Sequence, residues 1–466
     1  MVEGILNLKI DEYFDDIIKN LQEFINIPSV LDEEKTDESF PFGPKIDEAL
    51  RWILKKGNEM GLKSKNVDSY AGYIEIGNGP EMVGILGHID VVPAGAGWSV
   101  DPFEGQIKEG KLYGRGSVDD KGPIMAVLYA LKAIEDSRLP VSKRARLIIG
   151  TDEETGARCI KYYLEKEEPP ICGFSPDAEF PIIHAEKGIL RFELTKSFDE
   201  GPRPGANLKR IRGGTRVNVV PDYAEAVIEG VDDEKIESKI REQGLAGKIY
   251  IEKSLEGVIL KAKGISAHAS YPGDGENAIQ ILLNFLTLID FGGKEAKTFI
   301  DAVAGKLKME SDGKTLGISC SDDISGALTI NLGVVDFDEK RGSLKFDIRY
   351  PVTVDGNDII ANLKKAFDDL GAEFLINQHK LPLYVEPETE FIKKLQGVYK
   401  EMTGDEPKLL SIGGGTYCRY IKNTVSFGPV FPGQKELAHQ KDEYIALEDL
   451  RKIGKIYAQA IYELIK

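Results

Sequence analysis

Apolar residues recur along this chain in two rhythms, and the rhythm changes from section to section. Met82-Val83-Gly84-Ile85-Leu86 and Ala145-Arg146-Leu147-Ile148-Ile149-Gly150 are short, largely apolar runs with β-branched members, as buried strands have. Between them Gly122-Pro123 opens a segment in which Ile124, Val127, Leu128, Leu131 and Ile134 recur at helical spacing, predicting a helix that buries one stripe. Residues 44–54 put Pro44 at a first helical position, apolar residues on one side and Gly61 as a stop. Strands alternating with helices predict a three-layer α/β domain with a mostly parallel sheet, whose strand ends are where sites collect. From 187 to 383 a rhythm of two takes over. Segments 188–194 and 342–350 alternate polar and apolar positions, with helical patterns at 278–289 and 358–370. Glu390–Thr403 and Leu447–Ile465 then restore long helices. The pattern reads as one α/β domain, 1–186 and 384–466, interrupted by an α+β domain at 187–383.

Length agrees, since 466 residues exceed one ordinary core. Apolar content of 42% and charged content of 29% describe a globular protein, and no apolar run of eighteen residues offers a membrane span. The start, Met1 to Asn7, lacks the basic and apolar blocks of a secretory signal. A net charge of −17 opposes nucleic acid and anionic membranes. Cys159, Cys172, Cys320 and Cys418 are scattered without a C-x-x-C pair, as reduced thiols would be. A cytoplasmic protein is expected.

The strand ends carry the chemistry. The first apolar run delivers Gly87-His88-Ile89-Asp90. On an extended strand, His88 and Asp90 would share a face roughly 6–7 Å apart, suiting a metal ligand and the carboxylate that orients it. Gly114-Arg115-Gly116-Ser117-Val118-Asp119-Asp120-Lys121-Gly122 follows, then Thr151-Asp152-Glu153-Glu154-Thr155-Gly156 after the second run. Asp177 in Ser175-Pro176-Asp177 and His439 in Ala438-His439 complete the set. With 77 Asp and Glu in the chain, any single acid here could be a solvated loop residue. Imidazole and carboxylate ligands without thiolates suit zinc, manganese or cobalt in an open arrangement. Two metals sharing a carboxylate need about five protein ligands, and His88, Asp119, Glu154, Asp177 and His439 make that number. Gly413-Gly414-Gly415 lacks the Gly-Lys-Ser/Thr of a phosphate loop, but glycine amides opening a helix can cradle an anion.

These motifs, with Gly264-Ile265-Ser266-Ala267-His268-Ala269-Ser270-Tyr271-Pro272 and Asn277-Ala278, resemble the co-catalytic metallopeptidases that include aminoacylase, glutamate carboxypeptidase and succinyl-diaminopimelate desuccinylase. Within that family the chain looks most like the bacterial PepV-type dipeptidases, over nearly its whole length. The resemblance implies a zinc-peptidase-like catalytic domain with an inserted lid, two divalent metals per chain (zinc, with manganese or cobalt as alternatives) and hydrolysis of unblocked dipeptides. It implies that Asp119 bridges the metals, with His88 and Asp177 on one and Glu154 and His439 on the other. Asp90 would orient His88, and Glu153 would be the general base for a metal-bridging hydroxide. His268 would stabilise the oxyanion from the lid. Asn218, Arg349 and the glycines 413, 414 and 415 would hold the substrate. Arg349 falls on the polar side of its strand, so a solvated arginine is its competing reading. His184 and His379 match no motif and read as structural. The enlarged lid implies a monomer, with a dimer as the alternative. The rival functions are an N-acyl-amino-acid deacylase and a non-catalytic metal- or peptide-binding protein.

Overall fold

A computed structural model of the chain describes residues 2–199, 205–292 and 294–466. The chain forms two compact units, one of Met1–Ala185, Tyr384–Ser411 and Gly415–Lys466, the other of Glu186–Leu383 and Ile412–Gly414. Among the described residues no helix is long and apolar enough to cross a membrane.

In the first unit Met82–His88, buried along its whole length, lies between Arg144–Gly150 and Cys172–Ser175, parallel to both. Thr424–Ser426 extends this parallel centre. Antiparallel pairs flank this centre: Ala71–Ile76 is antiparallel to Arg144–Gly150, Lys63–Val67 is antiparallel to Ala71–Ile76 and so runs with the centre again, and Ser426 pairs antiparallel with Ile183. The expected mostly parallel sheet is therefore mixed. A local turn is the cause at one flank. Asp68 and Ser69 sit at positive φ (52° and 59°) and fold the chain straight back into a hairpin, which can only pair antiparallel.

Lys121–Ser137 is buried from Lys121 through Leu131 and again at Ala133 and Ile134, much more than a stripe. Leu447–Ile465 packs against it and also meets the central strands, and Val2–Glu12 and Phe14–Ile25 pack on it as well, so Lys121–Ser137 has the sheet on one side and other helices around the rest. Each large apolar side chain so removed from water contributes about 1.5–3 kcal/mol before the entropy of ordering it. On the same sheet face Leu50 and Leu54 of Pro44–Glu59 press on Gly72. Arg158–Lys166 covers the opposite face, where Tyr163 meets Arg146.

The second unit is an eight-stranded antiparallel sheet. Its order is Ile249–Ser254, Gly257–Lys263, Tyr223–Glu229, Asn207–Gly213, Thr329–Phe337, Arg341–Tyr350, Gly188–Ser197 and Glu373–Lys380. The two alternating segments read from the sequence are neighbours here, with Gly188 opposite Tyr350 and Phe192 opposite Phe346. Those two phenyl rings stack at 4.6 Å. Helices Asp233–Glu242, Ala278–Leu286, Lys294–Leu307 and Gly356–Phe367 supply much of the rest of a core drawn from residues 190–370. The cap of Ala278–Leu286 is Asn277, whose side chain accepts from the Gln280 amide at 3.1 Å.

Candidate metal centre

The first unit gathers all five expected ligands at the carboxyl end of its parallel strands. His88 is the last residue of its strand, Asp119 lies in the loop before Lys121–Ser137, and Glu154 follows Arg144–Gly150. Asp177 follows Cys172–Ser175, and His439 comes from a turn near the chain's end. Asp119 stands in the middle: its Oδ1 is 2.9 Å from His88 Nε2 and its Oδ2 is 3.1 Å from His439 Nε2. Each imidazole meets a second carboxylate, Asp177 Oδ2 at 3.6 Å from His88 Nε2 and Glu154 Oε2 at 2.9 Å from His439 Nε2. Two clusters result, His88 with Glu153 and Asp177, and Asp119 with Glu154 and His439, the ligand atoms of each within 4.8 Å of one another.

The donor set fits cations. His88 Nδ1 lies 2.9 Å from the Asp90 carbonyl, which can only accept, so the ring proton belongs on Nδ1. That leaves the Nε2 lone pair of a neutral ring facing two carboxylates, acceptor against acceptors. A divalent ion turns the repulsion into coordination, and without one the site must take up protons. Burial opposes a charge on His88, but hydrogen bonds to Asp119 and Asp177 outweigh it and hold its pKa well above the ordinary 6.5. Hydrogen bonds to Asp119 and Glu154 lift His439 to about 10. Burial, then repulsion from Asp119, pushes Asp177 to about 6. Burial foremost, with Asp177 and Glu154 adding to it, raises Glu153 well above the carboxylate range against the pull of His88.

Asp90 meets His88 twice. The strand ends at His88, so Asp90 lies beyond the pleat, and its carboxylate Oδ1 is 3.4 Å from His88 Nδ1 while its carbonyl is at 2.9 Å. The carboxylate also accepts from the successive amides of Glu153 and Glu154, each at 3.1 Å, so Asp90 fixes the loop that presents both acids.

In the second unit, Val219–Val220 pairs with Ala267–His268 as a two-stranded ribbon with Val219 opposite His268. Asn218 adjoins it, its carbonyl accepting from the Ala269 amide at 2.9 Å. His268 is exposed, and its Nδ1 accepts from the Ser270 amide at 3.3 Å, which puts the proton of a neutral ring on Nε2. Arg349 is not the solvated residue its polar strand position allowed: only 2% of it is exposed. Its Nε donates to Asp347 Oδ1 at 2.5 Å, its Nη2 to Asp347 Oδ2 at 3.1 Å and its Nη1 to the Gly413 carbonyl at 2.5 Å. The buried Asp347 holds it there, a pairing of acid and base two apart on one strand face. The glycine run does not open an α-helix. It leads into the four-residue 3-10 turn Tyr417–Tyr420, capped by Thr416, so the expected helix-end contribution to an anion cradle is absent. Gly413 and Gly414 belong to the second unit and Gly415 to the first. His184 and His379 have ordinary partners, the Val385 carbonyl at 2.9 Å and the Tyr350 hydroxyl at 2.8 Å.

Four residues around the centre escaped the sequence reading. Asp120 is wholly buried and accepts from the His88 amide at 3.1 Å; a Cβ on Gly87 would stand 2.6 Å from its Oδ2, so the strand needs glycine there. Tyr417 sets its ring edge-on to His88 with centroids 6.2 Å apart, in space that a Cβ on Gly150 would fill. Arg115 and Glu443 are buried and joined at 2.6 Å. Their only signals were Arg115 and Asp120 inside the quoted 114–122 motif and an acid four residues after His439.

Residues 84–463 match the model of a family described as Peptidase family M20/M25/M40. The chain is 44% identical over 462 residues to "Putative dipeptidase YtjP" of Bacillus subtilis (strain 168), covering 97% of this chain and 98% of that one. It is 37% identical over 465 residues to "Putative dipeptidase SAR1836" of Staphylococcus aureus (strain MRSA252), covering 98% of each. Human carnosine dipeptidase 1 shares the fold, with a TM-score of 0.60 at 16% identity over 100% of this chain and 99% of that one. So does aminoacylhistidine dipeptidase from Vibrio alginolyticus, with a TM-score of 0.60 at 14% identity over 96% of each.

Proposed function

Because the chain belongs to the peptidase family M20/M25/M40 and is a metallopeptidase, we propose that it is a dipeptidase of PepV type that hydrolyses unblocked dipeptides at a pair of divalent cations, zinc by preference. The observation that carries this reading is the division of Asp119 between the two imidazoles, Oδ1 to His88 and Oδ2 to His439, each imidazole having a carboxylate of its own. His88 and Asp177 would hold one cation, His439 and Glu154 the other, and Asp119 would be shared. When bound, the pair acidifies the attacking water and polarises the scissile carbonyl.

The chain's own residues do the rest. Glu153, turned toward the His88–Asp177 side on a loop that Asp90 fixes, takes a proton from the water as oxygen adds to the carbonyl carbon. It returns that proton to the nitrogen as the C–N bond breaks, releasing two amino acids. His268, the oxyanion donor on the second unit acting as lid, offers an Nε2 proton because its Nδ1 is occupied by the Ser270 amide. Arg349 and Arg191 share Asp347, Arg191 Nε at 2.8 Å, so one positive charge is left over beside Gly413 for a substrate carboxylate. Asn218 and the neighbouring glycines complete the grip. Free cysteines and the acidic composition support a cytoplasmic enzyme, and the enlarged lid a monomer.

The test is hydrolysis of a free dipeptide, a tripeptide and an N-acetylated amino acid by protein loaded with zinc, manganese or cobalt. An acidic group beside the cations would take the substrate's free amine, and an acetylated amine leaves that buried acid without its partner, so kcat/KM should favour the free dipeptide by on the order of 100-fold. Equal hydrolysis of the acetylated compound would overturn the dipeptidase reading in favour of a deacylase.

A further inference from the structure

Glu443 has no part in the reaction as written, yet it is completely buried, and it gathers four donors from one loop. Its carbonyl accepts from the Gly114 amide at 2.9 Å. Its Oε2 accepts from Arg115 Nη1 at 2.6 Å, and its Oε1 from the amides of Val118 at 2.9 Å and Asp119 at 3.2 Å. The loop is thus wrapped around a single residue, three of the four bonds reaching its carboxylate, and the last of them comes from the amide of the residue that stands between the two imidazoles.

Local structure explains the placement. Glu443 precedes Tyr444–Ala446, which pairs antiparallel with Lys111–Tyr113, Tyr444 opposite Tyr113, so the register brings Glu443 alongside Gly114. Gly116 at φ 88° then turns the loop back over the carboxylate. Four residues upstream, His439 meets Asp119 from its carboxylate side, while Glu443 meets it from its backbone side. Asp442, at φ 57° and accepting from the Ser99 amide at 2.7 Å, fixes the bend between them.

We infer that Glu443 is a positioning residue that sets Asp119 between the two cation sites by clamping the 114–119 loop. A structural ion pair with Arg115 would need only Oε2. The second oxygen is spent on the two amides that fix where the Asp119 side chain starts, and a carboxylate accepts from amides more strongly than a neutral group does. The inference rests on Asp119 being the shared ligand.

Glu443→Asp keeps the charge but withdraws the carboxylate by one methylene, whereas Glu443→Gln keeps the reach and gives up the charge. Glu75→Gln is the control: it breaks another buried carboxylate–arginine contact of the same unit, Glu75 with Arg146 Nε at 2.8 Å, away from the loop. Metal-free protein is titrated with Zn2+ against a chromophoric chelator, the Co2+ visible spectrum is recorded, and folding is followed by circular dichroism and Tm. Glu443→Asp should weaken both equivalents at least 10-fold and alter the Co2+ bands, Glu443→Gln less so. Glu75→Gln should lower Tm while leaving both affinities within about twofold of wild type. Wild-type affinity in Glu443→Asp, whatever its Tm, would overturn the inference. So would a loss confined to one equivalent, which would mean that Glu443 acts through His439. If neither Glu443 variant folds even with zinc present, the residue is structural and the inference is wrong. Asp119→Asn separates the underlying reading: if that variant still holds both cations, the shared-ligand assignment falls first.

Discussion

Three consecutive acids, Asp152, Glu153 and Glu154, are chemically almost alike, and their neighbours give them three tasks. Asp152 is 1% exposed and bound to Arg158 at 2.7 Å and to the Arg158 amide at 2.9 Å, so it closes the loop. Glu154 faces His439 and Glu153 faces the His88 side, held there by the Asp90 carboxylate under both amides. The acid types at the strand end were legible in the sequence, because ligand chemistry limits which residues can stand there. The partner that separates them was not, because Asp90 lies more than sixty residues away and acts on backbone. Glu153→Gln should keep two metal equivalents while turnover falls at least ~100-fold, the usual loss of a general base; elemental analysis beside steady-state kinetics checks both halves, and a largely active variant would move the base elsewhere. Protonation gives a second prediction. Cations compete with protons held by His439, whose pKa is near 10, and by Asp177, near 6. Both values are raised, so binding expels protons at any pH below them, and apparent affinity must climb as pH rises from about 5 toward 9. Zinc titrations in buffers of different ionisation enthalpy should show net proton release over that range; pH-independent binding would contradict the protonated metal-free site.

Periodicity finds helices and strands, but it says nothing about the short irregular pieces that carry side chains to a site. The Val219–Val220 and Ala267–His268 ribbon is only two pairs long, too short to leave a rhythm, and no local feature marks its support. That support is Asn331, 2% exposed, whose amide donates to the carbonyls of Val217 at 3.0 Å and Val219 at 2.9 Å, one on each side of Asn218. Asn277 donates in turn to Asn331 Oδ1 at 3.1 Å and to the Leu332 carbonyl at 2.8 Å, tying the ribbon to the helix it caps. His268→Ala should depress kcat much more than it raises KM and leave metal content unchanged, as for an oxyanion donor. Asn331→Ala leaves two carbonyls short of donors, costing about 1–3 kcal/mol of stability each, and should lower kcat about 10-fold by loosening His268. If Asn331 works through His268, adding Asn331→Ala to His268→Ala should cost almost no further kcat; additive losses in this double-mutant cycle would make the asparagine a stability residue only.

At the scale of the whole chain, everything proposed to touch a cation lies in the first unit, whose residues are drawn from both ends of the sequence. The second unit has its own antiparallel sheet and a core from residues 190–370 that includes none of those ligands. Burial within each core is what a unit needs to unfold as one cooperative step, and a ligand stabilises only the state that binds it. Two consequences follow for the loaded protein. Calorimetry should resolve two transitions, and chelation should move one of them. At free metal roughly a thousandfold above Kd, binding is worth about 4 kcal/mol, which for a unit of this size is a downward shift on the order of 10 °C when the metal is removed. The transition of the second unit should keep its temperature, and the excised segment 186–383 should melt cooperatively at that same temperature with and without chelator. A single transition that moves as a whole would mean the two cores unfold as one. A chelator-sensitive excised segment would mean that the second unit binds metal itself, contrary to the ligand set built around Asp119.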